Sequence, residues 1–238
     1  MKKYRKEFEY SYALGMTVTF ELLLSSFDVR EVYIHPDVTK NENYSRLMGL
    51  CAKRHVPVTE SVKAFNILSP KENCFAIGVF IKRSGHLPET SSHIVLASPM
   101  NAGNVGTVAR TALGLGYDSL ALIEPCTDVY APETVRASMG ALFRLNVEVF
   151  QSIDEYIARF PSHRLYPFML TASLPIESVK FSEPFSLVFG NEAHGLDESY
   201  SELGQSVIIP CTDKVDSLNL SIAAAIGMYE AKRKTRQV

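Results

Sequence analysis

The stretch SLVFGNEAHGLDESYSELGQSVIIPCTDKVDSLNLSIAAAIGMYEAKR, residues 186–233, decides how the chain is to be read. It holds two short apolar runs, 186–189 and 207–209, each of a length that suits a buried strand. Each run ends in residues that cannot extend a strand: Gly190-Asn191-Glu192 after the first and Pro210-Cys211-Thr212 after the second. Two such ends side by side predict a pair of loops at the carboxyl edge of a parallel sheet, where open α/β sheets hold their ligands. A helix is expected next. Leu218, Ile222, Ala225, Ile226 and Tyr229 form its buried face, and Ser217 stands where an N-cap belongs. In a regular helix through 217–221, Asn219 points about 200° away from Ser217. Either the helix starts later, or the two side chains serve different neighbours.

Working back from this stretch, the chain repeats a rhythm of strand, loop and helix. Strands are expected at residues 93–97, 119–123, 147–150 and 167–171, with helices at 105–115, 133–142 and 153–160. Apolar strands alternating with helices predict an α/β fold: a mostly parallel sheet with helices on both faces. Residues 85–92, GHLPETSS, gather Gly, Pro and Ser without periodicity and are expected to be a linker. Residues 1–84 before it read as a small α/β module, and residues 93–238 after it as the second domain. Within the module, helices are expected at 14–24, 44–55 and 62–68, and strands at 29–35, 56–58 and 74–82.

Composition bounds the function. The 238 residues carry a net charge of −2, so nucleic-acid binding would need a local basic face rather than a global field. Lys2, Lys3, Arg5 and Lys6 at one end and Lys232, Arg233, Lys234 and Arg236 at the other are expected to be solvated, fraying ends. No apolar run approaches the ~20 residues that cross a bilayer, and MKKYRKEFEYSY lacks the apolar core of a secretory signal. A cytoplasmic protein with no membrane partner is expected. Cys51, Cys74, Cys126 and Cys211 are too scattered for a zinc site and are expected to be buried free thiols in a reducing compartment. His194 has no second ligand pair at useful spacing, so no metal is expected.

The first strand of the second domain runs into SPMNAGNVGTVAR, residues 98–110. Asn and Gly between a strand and a helix put backbone N–H groups at a helix start, a natural seat for an anionic group. The run is not a dinucleotide fingerprint, since only Gly103 and Gly106 are spaced for one, and no Gly-Lys-Ser/Thr follows to make a P-loop. A nicotinamide-dependent oxidoreductase is therefore disfavoured. Val105, Val108, Ala109 and Ala112 supply the buried face of the helix and leave Arg110 to project elsewhere.

Taken in order, NAGNVGTVAR (101–110), FGNEAHGL (189–196) and IIPCTDKVDSLNLSIA (208–223) resemble the three successive motifs of the SpoU (TrmH-like) branch of the SPOUT RNA methyltransferases. Arg136-Ala137-Ser138-Met139-Gly140-Ala141 is similar to a segment of the same family. Residues 1–84 resemble, by general pattern, the RNA-binding module that often precedes this catalytic domain. The resemblance implies S-adenosylmethionine-dependent methyl transfer to a ribose 2′-hydroxyl of tRNA or rRNA, a C-terminal trefoil knot and a homodimer. It also implies that Phe189, Gly190, Asn191, Ile209, Pro210, Leu218 and Asn219 hold the cofactor. Gly190, lacking a Cβ, is expected to let backbone approach the ligand. For catalysis it implies Asn101, Arg110, Glu192, Ser217 and Asn219. A guanidinium has no lone pair to offer at neutral pH. Arg110 is thus expected to bind the neighbouring phosphate and stabilise the developing alkoxide, with Glu192 orienting Arg110 or Asn101 or accepting from the cofactor. A base methyltransferase, or a non-catalytic RNA-binding or ribosome-assembly protein of the same fold, remains the alternative.

Overall fold

A computed structural model describes residues 2–69 and 73–235. In chain order the elements are β1 (Tyr10–Leu14), α1 (Met16–Leu24), β2 (Val29–Ile34), α2 (Glu42–Lys53), β3 (Val58–Glu60), α3 (Val62–Leu68) and β4 (Ala76–Ile81). There follow β5 (His93–Ala97), α4 (Ala102–Gly114), β6 (Ser119–Ile123), α5 (Pro132–Ala137), β7 (Asn146–Phe150), α6 (Ile153–Arg159), β8 (Arg164–Pro167), β9 (Phe185–Phe189) and α7 (Leu220–Thr235). The chain divides into two compact units. One takes the described residues up to Arg83 together with Asp128–Arg144; the other takes Ser84–Thr127 and the described residues from Leu145 onward.

The first unit is built on a four-stranded sheet of order β1-β4-β2-β3, with only the β2–β3 pair parallel. Residues 10–14 are a strand, where the sequence reading places nothing before a helix at 14. Tyr10, Tyr12 and Leu14 alternate along it, and Gly15, at φ +105°, turns the chain directly into α1. At Gly78 a Cβ would come within 2.6 Å of Leu22 Cδ2, so α1 lies close on β4. The last carbonyls of α1 and the turn after it converge on one guanidinium: Arg54 donates to Leu22, Leu23, Ser25 and Phe27. Asp128–Arg144, expected within the second domain, belongs here. Phe27, Phe80, Tyr130 and Phe143 pack edge to face with ring centroids 5.1–6.0 Å apart. The helix expected at 133–142 stops at Ala137, because Met139 and Gly140 both take positive φ; a Cβ on Gly140 would also strike Glu21.

The second unit is an α/β fold on a five-stranded, all-parallel sheet of order β7-β6-β5-β9-β8. Apolar strands fill both faces: β5, β6 and β9 are buried along their whole length. Leu87, Val95, Ala121, Phe150, Tyr156, Phe160 and Val188 form one core cluster. Leu87 thereby ties the middle of the expected linker to the fold, and its N–H bonds Glu148 Oε2 at 2.9 Å. Strand order reverses between β5 and β9, which opens a crevice beyond their carboxyl ends.

Three other expectations shift here. Residues 207–209 form no sheet strand; Val207 and Ile208 make isolated parallel bridges to Phe168 and Pro175. The strand expected at 167–171 lies at Arg164–Pro167. In α7 the inward face is Leu220, Ser221, Ala224, Gly227, Met228 and Ala231, while Ile222, Ile226 and Tyr229 are 51, 37 and 59% exposed. Small residues permit this close seat: a Cβ on Gly227 would meet Phe189 Cζ at 2.8 Å and Phe168 Cζ at 2.9 Å. The basic end of α7 is anchored as well. Lys234 Nζ donates to the carbonyls of Ile176, Glu177 and Val179 at 2.7–2.9 Å. Arg236 lies outside the described residues. No helix among the described residues is long and apolar enough to cross a membrane.

Candidate active site

Beyond the carboxyl ends of β8 and β9 lies a cavity of about 380 Å3, a volume suited to a small organic ligand. Phe168, Phe189, Val207, Ile209, Leu218 and Leu220 give it apolar walls, and residues 190–195 and Asp216–Asn219 form its polar side. Of the residues expected to hold a cofactor, Phe189, Gly190, Asn191, Ile209, Leu218 and Asn219 line it; Pro210 does not, standing between Ile209 and Cys211, which do.

The loop after β9 is shaped by itself. Asn191 Oδ1 accepts from the N–H groups of Ala193 and His194 at 2.9 and 2.8 Å, and Gly195 N–H returns to the Asn191 carbonyl at 3.1 Å. A Cβ on Gly190 would fall 2.0 Å from the Gly195 carbonyl carbon. The glycine is therefore required by the loop's own backbone, where the sequence suggested only approach to a ligand.

This loop holds Glu192 against the start of α4. Asn101 caps that helix, its Oδ1 accepting from Asn104 N–H at 3.1 Å. The Glu192 carboxylate accepts from the N–H groups of Met100 and Asn101 at 3.3 and 3.2 Å and from Asn104 Nδ2 at 2.9 Å. Burial works against the charge, yet the Asn104 amide and the backbone N–H groups outweigh it and hold the carboxyl below its ordinary value. The positive end of α4 favours the same ionised state.

Asn219 completes the group. The helix starts later than Ser217, so Asn219 takes the capping position: its Oδ1 accepts from Ser221 N–H and Oγ, and its carbonyl from the N–H groups of Ile222 and Ala223. Its free amide donates to Asn104 Oδ1 at 3.2 Å. Glu192, Asn104 and Asn219 thus form one chain of hydrogen bonds joining β9, α4 and α7.

Asn104 is the residue that sequence reasoning missed. Its signal was an asparagine, a poor helix former, in the first turn of a helix already capped by Asn101. Ser217 lines the cavity without capping α7. Arg110 does not line it. It is exposed on α4, six residues and roughly 9 Å of helix rise beyond Asn104, and its side chain has no hydrogen bond or ion pair among the described residues. Among the described residues, no group of three or more His, Cys, Asp or Glu is placed to hold a metal ion.

The model of the SpoU rRNA Methylase family matches residues 91–229. An uncharacterised tRNA/rRNA methyltransferase of Synechocystis is 31% identical over 153 residues, covering 62% of this chain and 55% of that one. A 23S rRNA (guanosine(2553)-2′-O)-methyltransferase of Bacillus subtilis is 29% identical over 155 residues, 62% of each chain. This chain therefore spans between about half and three fifths of the length of these curated relatives. The crystal structure of an AdoMet-bound rRNA methyltransferase from Sinorhizobium meliloti superposes with a TM-score of 0.80 at 25% identity, over 94% of this chain and 87% of that one.

Proposed function

The chain belongs to the SpoU rRNA Methylase family, and on that footing we propose that it is an RNA methyltransferase that moves a methyl group from S-adenosylmethionine to a ribose 2′-hydroxyl. The observation that carries the reading is the hydrogen-bonded chain Glu192–Asn104–Asn219 at the mouth of the cavity. It fixes three polar side chains from three elements at one point before any ligand binds, and such preorganisation supports catalysis by positioning.

The cavity fits the cofactor. Apolar Phe189, Ile209 and Leu218 suit the faces of an adenine ring, while the backbone of 190–195 and Asp216–Asn219 offers polar groups to the rest. When bound, S-adenosylmethionine supplies a methyl group already activated on a sulfonium. The protein has only to hold the ribose oxygen in line and stabilise charge as its proton leaves. Glu192, kept ionised by its N–H donors, orients Asn104 and the first turn of α4. Ser217 and Asn219 face the cavity from the other side. Arg110, whose side chain has no partner among the described residues, is assigned to the phosphate beside the target ribose, where it favours the developing alkoxide.

The reading includes a homodimer, supported by the exposed stripe of Ile222, Ile226 and Tyr229 on α7. It includes a C-terminal knot, supported by the path of the chain after residue 203. There Gln205 and Val207 donate to Leu165 and Pro167 at the end of β8 before the chain turns into α7. The first unit is assigned to binding the RNA, either ribosomal or transfer, and the site of action to the cytoplasm.

The test is transfer of labelled methyl from S-adenosylmethionine to total RNA from cells that lack this protein, with wild type beside Arg110→Ala. Nuclease digestion then locates the label. Label on a ribose, lost in the variant, is the expected result. Label on a base would make the protein a base methyltransferase, and no label with cofactor binding intact would make it a binding protein.

A further inference from the structure

Residues 2–9 carry Lys2, Lys3, Arg5 and Lys6 against Glu7 and Glu9, a local excess of positive charge in a chain whose net charge is −2. The sequence reads this run as a fraying end. The structure fastens it to the first unit at several points. The Tyr12 hydroxyl donates to the Lys2 carbonyl at 2.6 Å, and the Tyr4 hydroxyl donates to the Asp128 carboxylate. Lys82 Nζ donates to the Lys6 carbonyl at 2.6 Å and lies 5.5 Å from the Tyr4 ring centroid. The Phe8 ring stacks on Tyr10, centroids 5.1 Å apart and planes 18° from parallel.

These contacts take up the backbone and the aromatic side chains of the arm and leave cations outside. The side chains of Lys3 and Arg5 are exposed and make no hydrogen bond, ion pair or ring contact among the described residues. Of the two carboxylates, Glu9 is engaged by Arg30 at 3.7 Å, whose guanidinium also lies 5.6 Å from the Tyr10 ring centroid. With the backbone of the arm already held, Lys3 and Arg5 meet a polyanion with less entropy left to lose.

We propose that residues 2–9 form a preordered rail for the phosphate backbone of the RNA substrate, with Lys3 and Arg5 making the phosphate contacts. The proposal rests on the reading of RNA as substrate and adds where the first unit grips it. The contact is electrostatic and carries no sequence information, so it fixes the RNA's path and leaves the choice of nucleotide to other residues.

The experiment titrates the full chain against protein-free large-subunit ribosomal RNA over a series of salt concentrations. Replacing Lys3 and Arg5 together by Gln is expected to weaken binding about tenfold at moderate salt. It should also lower the slope of log affinity against log salt by roughly 1.4–1.8, because each lost phosphate contact removes roughly 0.7–0.9. Thermal stability and S-adenosylmethionine binding should stay at wild-type values, since both side chains are exposed and neither bonds to the fold. Glu7→Gln should act in the opposite direction and tighten binding. A double variant with wild-type affinity and slope overturns the rail while wild-type binding keeps the RNA reading standing. Weaker binding at an unchanged slope overturns it too, since the contact would not be with phosphate. If the wild type binds this RNA no better than a neutral control protein, or prefers an acidic protein, the RNA reading and the rail fall together.

Discussion

The side-chain amide of Asn104 donates to Glu192 Oε1 at 2.9 Å, and this one bond ties the loop after β9 to the first turn of α4. Two backbone N–H groups share the same carboxylate at 3.2–3.3 Å, so the side-chain bond is the shortest of the three. It is also the only one that a point substitution can remove without moving the chain.

Asn104→Ala should therefore loosen Glu192 and free the amide of Asn219 at once. A hydrogen bond to a charged group contributes about 1.5–3 kcal/mol, which corresponds to a loss of roughly 10- to 160-fold in methyl transfer if it is made in the transition state. The expected split is a lower kcat with S-adenosylmethionine affinity within about threefold of wild type. A variant with full turnover would remove Asn104 from the site.

Gly190 and Gly195 give a paired test of the loop. In Gly190→Ala the new Cβ meets backbone atoms that cannot give way, 2.0–2.3 Å off at Gly195 and Leu196. The loop must open, at a cost of about 1–3 kcal/mol, and calorimetric titration should show cofactor affinity falling at least tenfold, about 1.4 kcal/mol. Gly195→Ala meets nothing within 4 Å and bears only the strain of φ +70°, roughly 1–2 kcal/mol. Affinity should fall less than in the first variant. Equal losses would show that backbone conformation, and not the packing of Gly190, controls the loop.

The contrast between these residues explains how much of the molecule was legible in its sequence. The parallel sheet was readable because β5, β6 and β9 are mostly apolar and each meets a Pro or Gly within two residues of its end, local signals that tertiary contacts do not override. The last loops were readable for the same reason. Asn104 was not, because its role lies in a bond to a residue 88 positions away, and nothing in its own neighbourhood announces that partner. The orientation of α7 was misread for a physical reason. Period alone favours the bulky stripe Ile222, Ile226 and Tyr229 as the buried face, whereas Gly227, Ala224 and Ala231 let the helix sit closer with their side turned inward. Asp128–Arg144 was assigned to the wrong unit because its packing on Phe27 and Phe80 is between residues far apart in sequence.

That outward stripe leads to the third prediction. Ile226→Asp places a charge at the middle of the Ile222–Tyr229 face without disturbing the inward residues of α7. Sedimentation should give a dimer for wild type and a monomer for the variant, with the thermal transition of the monomer preserved. Wild type sedimenting as a monomer at micromolar concentration would remove the dimer from the proposed function.

The fourth prediction concerns the opposite edge of the sheet, at the amino ends of β5 and β9. His93 Nε2 lies 2.8 Å from the Pro88 carbonyl and His163 Nε2 lies 2.9 Å from the Glu89 carbonyl. A carbonyl only accepts, so both rings carry their proton on Nε2. Each Nδ1 then faces a hydroxyl, Tyr156 for His93 and Ser186 for His163, and the two hydroxyls stand 2.6 Å apart. Burial lowers the affinity of both rings for a second proton, against the upward pull of those carbonyls; His93 is pushed down to about 4 and His163 also below its ordinary value. With the folded value below the unfolded one, the unfolded chain takes up the proton first. The stability contributed by neutral His93 is complete above about pH 6.5 and is lost as pH falls toward about 4. At about 1.4 kcal/mol per unit, the loss is on the order of 3 kcal/mol. Urea midpoints should fall steadily across that window in the wild type. In His93→Asn, less stable at neutral pH, the fall should shrink to the part left by His163. A wild-type midpoint that stays flat between neutral pH and about 4.5 would mean that His93 is not held neutral in the folded chain.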